Sequence, residues 1–153
     1  MHAKSLYKLI KVIKLESKDL KHCMQLDKET FGGIWSFNQW KKELADPARI
    51  CLGVVKDTKV IGLACGSFAL EEINITLIAV SPLYQNLGIG KLILKSLISE
   101  GRRNGAKSAT LEVKDNNLAG KSIYEGLNFK KVGSRKNFYT DGSTAIIYKR
   151  TTD

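Results

Sequence analysis

Residues 77–94 read LIAVSPLYQNLGIGKLIL, and this stretch decides the fold. Its first four residues are apolar and lead into Ser81-Pro82, a pattern typical of a buried strand that ends in a turn. From Gly90 to Arg103, apolar residues recur at helical spacing on one side and basic residues on the other, while Gly101 and Gly105 are stop signals. The stretch therefore predicts a strand, a loop with two glycines and an amphipathic helix.

Gly88 and Gly90 lie in the loop between this strand and this helix. Glycines at such a place let backbone N–H groups converge on an anion, and the helix N-terminus adds partial positive charge. The pair would equally permit tight packing of the strand against the helix, so both interpretations stay open. Two phosphate motifs are excluded, because Leu92 replaces the hydroxyl residue of a P-loop and Ile93 replaces the third glycine of a dinucleotide fingerprint.

Outward from this stretch, hydrophobic periodicity and turn residues predict the other elements. Strands are expected at 7–15, 50–56, 59–70, 73–80, 108–114, 129–136 and 144–149, and helices at 18–30, 36–46, 90–103 and 117–127. Ser17 and Ser36 are the expected N-caps of the first two helices, and the dipeptide Asp141-Gly142 predicts a hairpin between the last two strands. Because there is no internal repeat or linker, residues 1–153 are expected to form a single domain.

The composition fits one cytoplasmic domain. With 153 residues, of which 43% are hydrophobic, the chain has enough material for one core and too little for a two-domain enzyme. No apolar run approaches the ~20 residues that span a bilayer, and residues 1–12 contain no signal-peptide pattern. The net charge of +10 favours anionic partners. Three dispersed cysteines and two histidines favour reduced thiols and no metal site.

A second informative block comprises residues 111–117, LEVKDNN, and 122–129, SIYEGLNF. Glu112 lies between two apolar residues of a predicted strand, so its side chain either faces solvent or projects into a cleft. Tyr124 shares a helix face with Leu127, which is typical of a core aromatic and is also compatible with a catalytic phenol. Taken alone, these residues do not decide between a structural and a catalytic role.

Taken together, these motifs resemble one enzyme family. Gln85, Gly88 and Gly90 fit the pyrophosphate loop Q/R-x-x-G-x-G/A of the GNAT superfamily of N-acetyltransferases, and the predicted order of elements is similar over nearly the whole chain. The segments around Glu112 and Tyr124 resemble L-E-V-R, S-N and L-Y-E-x-L-G-F of the RimI-like subgroup, the ribosomal-protein-alanine N-acetyltransferases. The implied fold is a GNAT fold of the α/β (α+β) class, a central, mostly antiparallel mixed sheet of about seven strands flanked by about four helices.

The resemblance implies acetyl-CoA as co-substrate, no metal, and a role for each matching residue. Glu112 matches the general base and Tyr124 the general acid. Asn117 matches an asparagine that touches the cofactor, and it is equally well placed to cap its helix. Trp35 and Tyr139 match the acceptor side, although Tyr139 would serve equally as a cross-strand aromatic. The implied cofactor-binding residues are Ile78, Ala79, Val80, Gln85, Asn86, Leu87, Gly88, Ile89, Gly90, Lys91 and Asn117.

Three of the departures from the subgroup's pattern change what is expected of the chain. Asn128 replaces the glycine of L-G-F, and because asparagine is the next-best residue for a left-handed helix end, we expect the helix to end there in that conformation. Leu77 and Ile34 stand where the subgroup has asparagine and proline, near the expected acceptor groove. These two changes concern the identity of the acceptor more than the chemistry.

The acceptor that the resemblance implies is a protein N-terminal α-amine, that of the first alanine of a small-subunit ribosomal protein. An α-amine has a pKa of ~7.7–8.0 against ~10.4 for lysine, so a modest base suits it better. A lysine or small-molecule acceptor and a non-catalytic acyl-CoA- or RNA-binding module stay open as alternatives, and the presence of both Glu112 and Tyr124 argues against the module. No direct nucleic-acid or membrane binding is expected, and the chain is expected to be a monomer or weak dimer.

Overall fold

The computed structural model describes residues 2–153. In this part of the chain the strands are β1 (Ile10–Lys14), β2 (Arg49–Lys56), β3 (Lys59–Ala69), β4 (Glu72–Val80), β5 (Ser108–Lys114), β6 (Lys130–Arg135) and β7 (Ala145–Thr151). The α-helices are α1 (Ala3–Tyr7), α2 (Leu20–Phe31), α3 (Phe37–Ala45), α4 (Ile89–Arg103) and α5 (Leu118–Gly126). Short 3₁₀ turns cover Ser17–Asp19 and Pro82–Tyr84.

The strands form one seven-stranded sheet in the order β1-β2-β3-β4-β5-β7-β6. The pairs β1–β2, β2–β3, β5–β7 and β6–β7 are antiparallel, whereas β4 and β5 are parallel, with Glu72 opposite Ser108 and Ile75 opposite Leu111. Parallel neighbours need a long crossover connection, which here contains α4. The predicted mostly antiparallel mixed sheet is therefore confirmed.

The N-terminal elements differ from the prediction. The strand expected at 7–15 begins only at Ile10, because α1 precedes it and buries Leu6 completely. The helix expected at 18–30 begins at Leu20, after a 3₁₀ turn, so Ser17 is not its N-cap. Asp19 reaches back instead, and its carboxylate accepts a hydrogen bond of 2.9 Å from the Glu16 N–H. Such local side-chain to backbone bonds compete with regular helix and are hard to read from periodicity.

Other boundaries follow the sequence signals. Ser36 and Gln39 form a capping box, in which the Gln39 N–H donates to Ser36 Oγ at 3.1 Å and the Ser36 N–H donates to Gln39 Oε1 at 2.7 Å. The helix α3 stops at Ala45 because the next residue, Asp46, is extended ahead of Pro47. At the end of α5, Asn128 has φ 67°, which confirms the predicted left-handed helix end.

The last two strands pair as predicted, but their connection is longer than a two-residue hairpin. Strand β6 ends at Arg135 and β7 begins at Ala145. Within the loop, the Gly142 N–H donates to the Tyr139 carbonyl at 2.9 Å, and Gly142 has φ 83°. The glycine of the predicted dipeptide therefore closes a turn inside a loop that holds Tyr139.

Contacts divide the chain into two compact units. The N-terminal unit comprises the residues up to Ser67 together with Leu77–Leu97, and the C-terminal unit comprises Phe68–Thr76 and Ile98–Asp153. The single domain expected from the sequence stays a prediction.

In the N-terminal unit, α2 and α3 cover a dense apolar cluster. Trp40 and Leu63 are fully buried at its centre, and Gly53 gives room to Leu15, whose side-chain carbons would lie 2.8 Å from a Cβ at that position. The three cysteines lie in the same cluster, and all are buried reduced thiols: Cys23, Cys51 and Cys65. Cys51 and Cys65 are opposite each other on β2 and β3, with sulfur atoms 2.9 Å apart.

A buried carboxylate holds the connection between α2 and α3. Asp27 is 1% exposed. Its Oδ1 accepts from the Ile34 N–H at 3.0 Å, while its Oδ2 accepts from the Trp35 N–H at 3.1 Å and from Trp40 Nε1 at 2.9 Å. Three donors from two segments therefore converge on one side chain, which makes Asp27 a structural centre of this unit.

We expect Asp27→Ala to lower the free energy of unfolding by about 2–4 kcal/mol, because it leaves buried donors without an acceptor. Asp27→Asn should fall between alanine and the wild type, since an amide places an oxygen at only one of the two acceptor positions. Urea unfolding followed by circular dichroism measures both values. The exposed neighbour Lys28→Ala should change stability by less than about 0.5 kcal/mol, and a loss as large as that of Asp27→Ala would contradict the assignment.

Candidate active site

In the N-terminal unit, the glycine loop leaves the end of β4 and enters α4. The Ser81 N–H donates to the Ile61 carbonyl at 2.8 Å, which fixes the end of the strand. Gln85 Nε2 then donates to the Val80 carbonyl at 3.1 Å. Asn86 and Gly88 have left-handed backbone conformations, with φ 63° and φ 86°. The loop therefore turns sharply twice before the helix begins.

The two glycines of the loop are needed for different reasons. Gly88 has a positive φ, and a Cβ there would overlap the hydroxyl of Tyr7, so any larger residue at this position would be strained. A Cβ at Gly90 would lie 3.8 Å from Val80 Cγ2, an ordinary contact, so the fold tolerates a larger residue. Space left open at Gly90 is what a ligand approaching the main chain needs.

The first turn of α4 carries backbone donors without helical partners. Its first hydrogen bond runs from the Leu92 N–H to the Gly88 carbonyl at 3.0 Å. The N–H groups of Ile89, Gly90 and Lys91 precede that bond and have no acceptor one turn earlier within the helix. This main chain fits an anionic group such as a diphosphate.

Three predicted cofactor residues, Ile78, Ala79 and Val80, form the end of β4 in the N-terminal unit. Ala79 is buried, whereas its two neighbours are half-buried. The other predicted residue of this unit, Trp35, is half-buried and packs edge-on against Trp40 with ring centroids 4.7 Å apart. Trp35 thus has a packing role, and its place in the acceptor site stays a prediction.

In the C-terminal unit, strand register places Glu112 beside a cation. Glu112 is opposite Ile147 on β7, and Ile147 is opposite Gly133 on β6. Arg135, two residues along β6, has its Nη2 3.6 Å from Glu112 Oε1. The Glu112 side chain is 31% exposed. The sequence left open whether the Glu112 side chain faces solvent or projects into a cleft. In the structure the carboxylate is partly exposed on one face of the sheet, next to Arg135.

The phenol of Tyr124 is half-buried among aromatic rings. Its ring centroid lies 6.2 Å from Phe129 and 6.3 Å from Tyr148. Burial, followed by the neighbouring Tyr139, raises the pKa of Tyr124 above its ordinary value. Behind this ring, Tyr148 Oη donates to Glu125 Oε1 at 2.8 Å, and burial together with that bond raises the pKa of Tyr148 to about 12. Both phenols therefore stay protonated at neutral pH.

Tyr139 belongs to the same group of side chains. It is half-buried, with Lys114 Nζ 5.0 Å from its ring centroid and Phe138 5.1 Å away. Burial and then the charge of Glu112 raise the pKa of Tyr139. Tyr139 in turn contributes to the raised pKa of Tyr124, so it interacts electrostatically with both Tyr124 and Glu112. We call Glu112, Tyr124, Tyr139 and Arg135 the carboxylate–phenol cluster.

Asn117 is the N-cap of α5, as predicted. Its Oδ1 accepts from the Gly120 N–H at 2.9 Å. Gly120 is the residue that makes room for this cap, since a Cβ there would lie 2.7 Å from Asn117 Nδ2. The predicted contact of Asn117 with the cofactor stays a prediction.

The sequence alone assigned no role to Arg135, which lies in the strand predicted at 129–136. Its contact with Glu112 depends on which residues of β6, β7 and β5 are opposite one another, and the sequence gives no direct signal of that register. Residues 2–153 contain no group of three or more His, Cys, Asp or Glu side chains arranged to hold a metal ion. Over the same range, no helix combines the length and apolarity needed to cross a bilayer.

The fold and the comparison with known families define an acyl-transfer enzyme. The family model of the acetyltransferase (GNAT) family matches residues 17–129, and the chain belongs to this family. It is an acetyl-CoA-dependent N-acetyltransferase.

Within the family, the chain is similar to the enzymes that act on a ribosomal protein. It is 30% identical to ribosomal protein bS18-alanine N-acetyltransferase of Haemophilus influenzae over 128 residues, which cover 84% of this chain and 86% of that protein. It is 29% identical to N-alpha-acetyltransferase RimI of Mycobacterium tuberculosis, with 89% of each chain covered. The crystal structure of the ribosomal-protein-S18-alanine N-acetyltransferase from Escherichia coli matches 94% of both chains with a TM-score of 0.86 and 28% identity.

The raised pKa values predict an unusual alkaline titration. We expect Tyr148 to ionise last, at about 12, and Tyr124 and Tyr139 to ionise above the ordinary value of about 10. The ultraviolet absorbance of phenolate measures each step, and Tyr148→Phe should remove the last one. Because raised pKa values favour the protonated folded state, their stabilising contribution is present below pH about 10 and is lost as pH rises through the folded values. Five tyrosines that titrate together near the ordinary value would contradict this.

Proposed function

We propose that this chain transfers the acetyl group of acetyl-CoA to the α-amine of a protein N-terminus, specifically that of the first alanine of a small-subunit ribosomal protein. The observation that carries the proposal is the carboxylate–phenol cluster, in which a partly accessible Glu112 and a protonated Tyr124 are both linked to Tyr139. The similar enzymes are named ribosomal protein bS18-alanine N-acetyltransferase and N-alpha-acetyltransferase, and the similarity covers most of each chain. Both facts support this choice of acceptor. We further propose that the enzyme works in the cytoplasm, as a monomer or weak dimer.

Gln85–Lys91 are proposed to bind the diphosphate of acetyl-CoA. The N–H groups at the start of α4, which have no acceptor one turn earlier within the helix, and the open space at Gly90 support this role. The main chain of Ile78, Ala79 and Val80 and the amide of Asn117 are proposed to bind the rest of the cofactor. The thioester of acetyl-CoA supplies an activated acyl carbon for attack by an amine.

Glu112 is proposed to be the general base. The attacking amine must be neutral, so its ammonium proton passes to the Glu112 carboxylate, directly or through one water molecule. The Arg135 guanidinium lies beside it, with Nη2 3.6 Å from Glu112 Oε1. An N-terminal ammonium has a pKa of ~7.7–8.0, so little driving force is needed from this base near neutral pH.

Tyr124 is proposed to be the general acid. When the bond between nitrogen and the acetyl carbon forms, the bond from that carbon to sulfur breaks and the sulfur takes a proton from the Tyr124 hydroxyl. The raised pKa of Tyr124 keeps that proton available at neutral pH. As the amide forms, its nitrogen loses a second proton, which restores the Tyr124 phenol through solvent. The ammonium proton taken up by Glu112 is released, so the reaction yields CoA, the acetylated amine and one proton.

We expect Glu112→Gln to lower kcat by about 10²- to 10⁴-fold, the range of a general base, with acetyl-CoA affinity nearly unchanged. Release of CoA with a short alanine-first peptide measures kcat, and calorimetry measures affinity. Glu71→Gln, an exposed change of the same kind, is the control and should keep wild-type turnover. Unchanged turnover of Glu112→Gln at saturating substrates would remove Glu112 from this role.

The acceptor is tested with a peptide panel. Peptides that differ in their first residue are compared with a lysine peptide whose N-terminus is blocked and with a free small-molecule amine. We expect the alanine-first peptide to be the preferred acceptor. If only the blocked lysine peptide or only the small amine is acetylated, the acceptor is a lysine or a small-molecule amine instead. If no acceptor is acetylated, a non-catalytic module is favoured.

Gly90→Leu separates the needs of the fold from those of the ligand, because the loop motif accepts alanine at this position but no larger residue. We expect stability to stay within about 1 kcal/mol of the wild type, because leucine suits a helix better than glycine and a Cβ there makes only an ordinary contact. Acetyl-CoA affinity should fall about tenfold or more, because the larger side chain fills the space next to the main chain and costs a bond to a charged group. Calorimetry and thermal unfolding measure the two effects, with Ser96→Ala on the same helix as control. Normal affinity in the folded variant would refute diphosphate binding at this loop.

A further inference from the structure

The N-terminal helix α1 is fixed at both ends. The Leu6 side chain is fully buried, and its N–H donates to the His2 carbonyl at 3.0 Å. At the other end, the Leu9 N–H donates to the Leu6 carbonyl at 2.8 Å before β1 begins. These contacts set the direction in which the next side chain, Tyr7, leaves the helix.

Tyr7 contacts the glycine loop within the N-terminal unit. Its Oη donates to the Leu87 carbonyl at 3.2 Å, across 80 residues of sequence. The same hydroxyl fills the position of a Cβ at Gly88, and the ring Cζ lies 3.6 Å from that position. The N-terminal helix therefore touches the loop at its second left-handed residue.

The loop is held by side chains at two carbonyl groups. Gln85 binds the Val80 carbonyl on one side, and Tyr7 binds the Leu87 carbonyl on the other. Left-handed residues such as Asn86 cost free energy and persist only where surrounding contacts fix them. Because the C=O and N–H of one trans peptide point in opposite directions, the contact at the Leu87 carbonyl turns the N–H of Gly88 away from Tyr7.

We infer that Tyr7 is a positioning residue of the acetyl-CoA site. Its hydroxyl orders the glycine loop before the diphosphate binds, so that less ordering has to occur on binding. This inference rests on the proposed function, in which Gln85–Lys91 bind that diphosphate. We expect the role to be specific to the cofactor, because the contacts of Tyr7 that support it are with the glycine loop.

The test compares Tyr7→Phe with the wild type. The change removes one hydroxyl and keeps the ring, so we expect the Kd and KM for acetyl-CoA to rise about three- to tenfold, the effect of one hydrogen bond. The kcat at saturating acetyl-CoA, the KM for the acceptor peptide and the Tm should stay unchanged. Ser5→Ala, an exposed change on the same helix, is the matched control and should leave every value unchanged.

A double-mutant cycle tests the contact itself. Gly88→Ala in the wild type introduces both left-handed strain and overlap with the Tyr7 hydroxyl, whereas in the Tyr7→Phe background only the strain remains. We expect Gly88→Ala to weaken acetyl-CoA binding by a smaller factor in the Tyr7→Phe background than in the wild type. Equal factors in the two backgrounds would overturn the contact.

The outcomes separate this inference from the function on which it rests. If the wild type binds acetyl-CoA and Tyr7→Phe binds it equally well, the positioning role is overturned and the proposed function stands. If Tyr7→Phe lowers kcat, Tm and both affinities together, Tyr7 serves the fold in general and the inference also fails. If the folded wild type does not bind acetyl-CoA, the proposed function fails and the inference fails with it.

Discussion

The contact between Glu112 and Arg135 depends on how the side chains of three neighbouring strands alternate between the two faces of the sheet. Successive side chains of a strand point to opposite faces, so a slip of one residue would turn Glu112 and Arg135 away from each other. The pairing of β6 with β7 shifts between Lys131 and Gly133, where β6 carries one extra residue. This bulge shifts the alternation of side chains in β6 by one residue. Gly133 and Arg135 therefore lie on the same face of the sheet as Glu112 and Ile147. The contact of Arg135 with the carboxylate is thus decided by an irregularity in an edge strand.

The N-terminal unit uses distant side chains to hold irregular backbone. Asp27 ties the N–H groups of the turn between α2 and α3, and Tyr7 and Gln85 tie carbonyl groups of the glycine loop. In both places glycine or asparagine supplies left-handed backbone, and a side chain from elsewhere stabilises it. Each turn is thereby ordered by the folded core before any ligand arrives, which lowers the entropic cost of binding.

Local signals predicted most of the fold. The Ser36 cap, the stop before Pro47 and the left-handed Asn128 each depend on neighbours within four residues, and all three agree with the structure. The helix α1 was missed because its single buried anchor, Leu6, fits an alternating strand pattern as well as a short helix. Asp27 and Arg135 were missed because their partners are set by tertiary packing and by strand register, which periodicity does not encode. The family motifs identified Glu112 and Tyr124 as candidates, but their surroundings came only from the folded chain.

The three buried cysteines have a practical consequence for studying this enzyme. Burial raises the pKa of Cys65, and the hydrogen bond with Cys51 followed by burial does the same for Cys23. A neutral, inaccessible sulfhydryl reacts slowly with aromatic disulfide reagents, because the attacking species is the thiolate. In an assay that detects released CoA with such a reagent, the cysteines of the native protein therefore add little background absorbance. A burst of absorbance from the protein alone would in turn report that the sheet between β2 and β3 has opened.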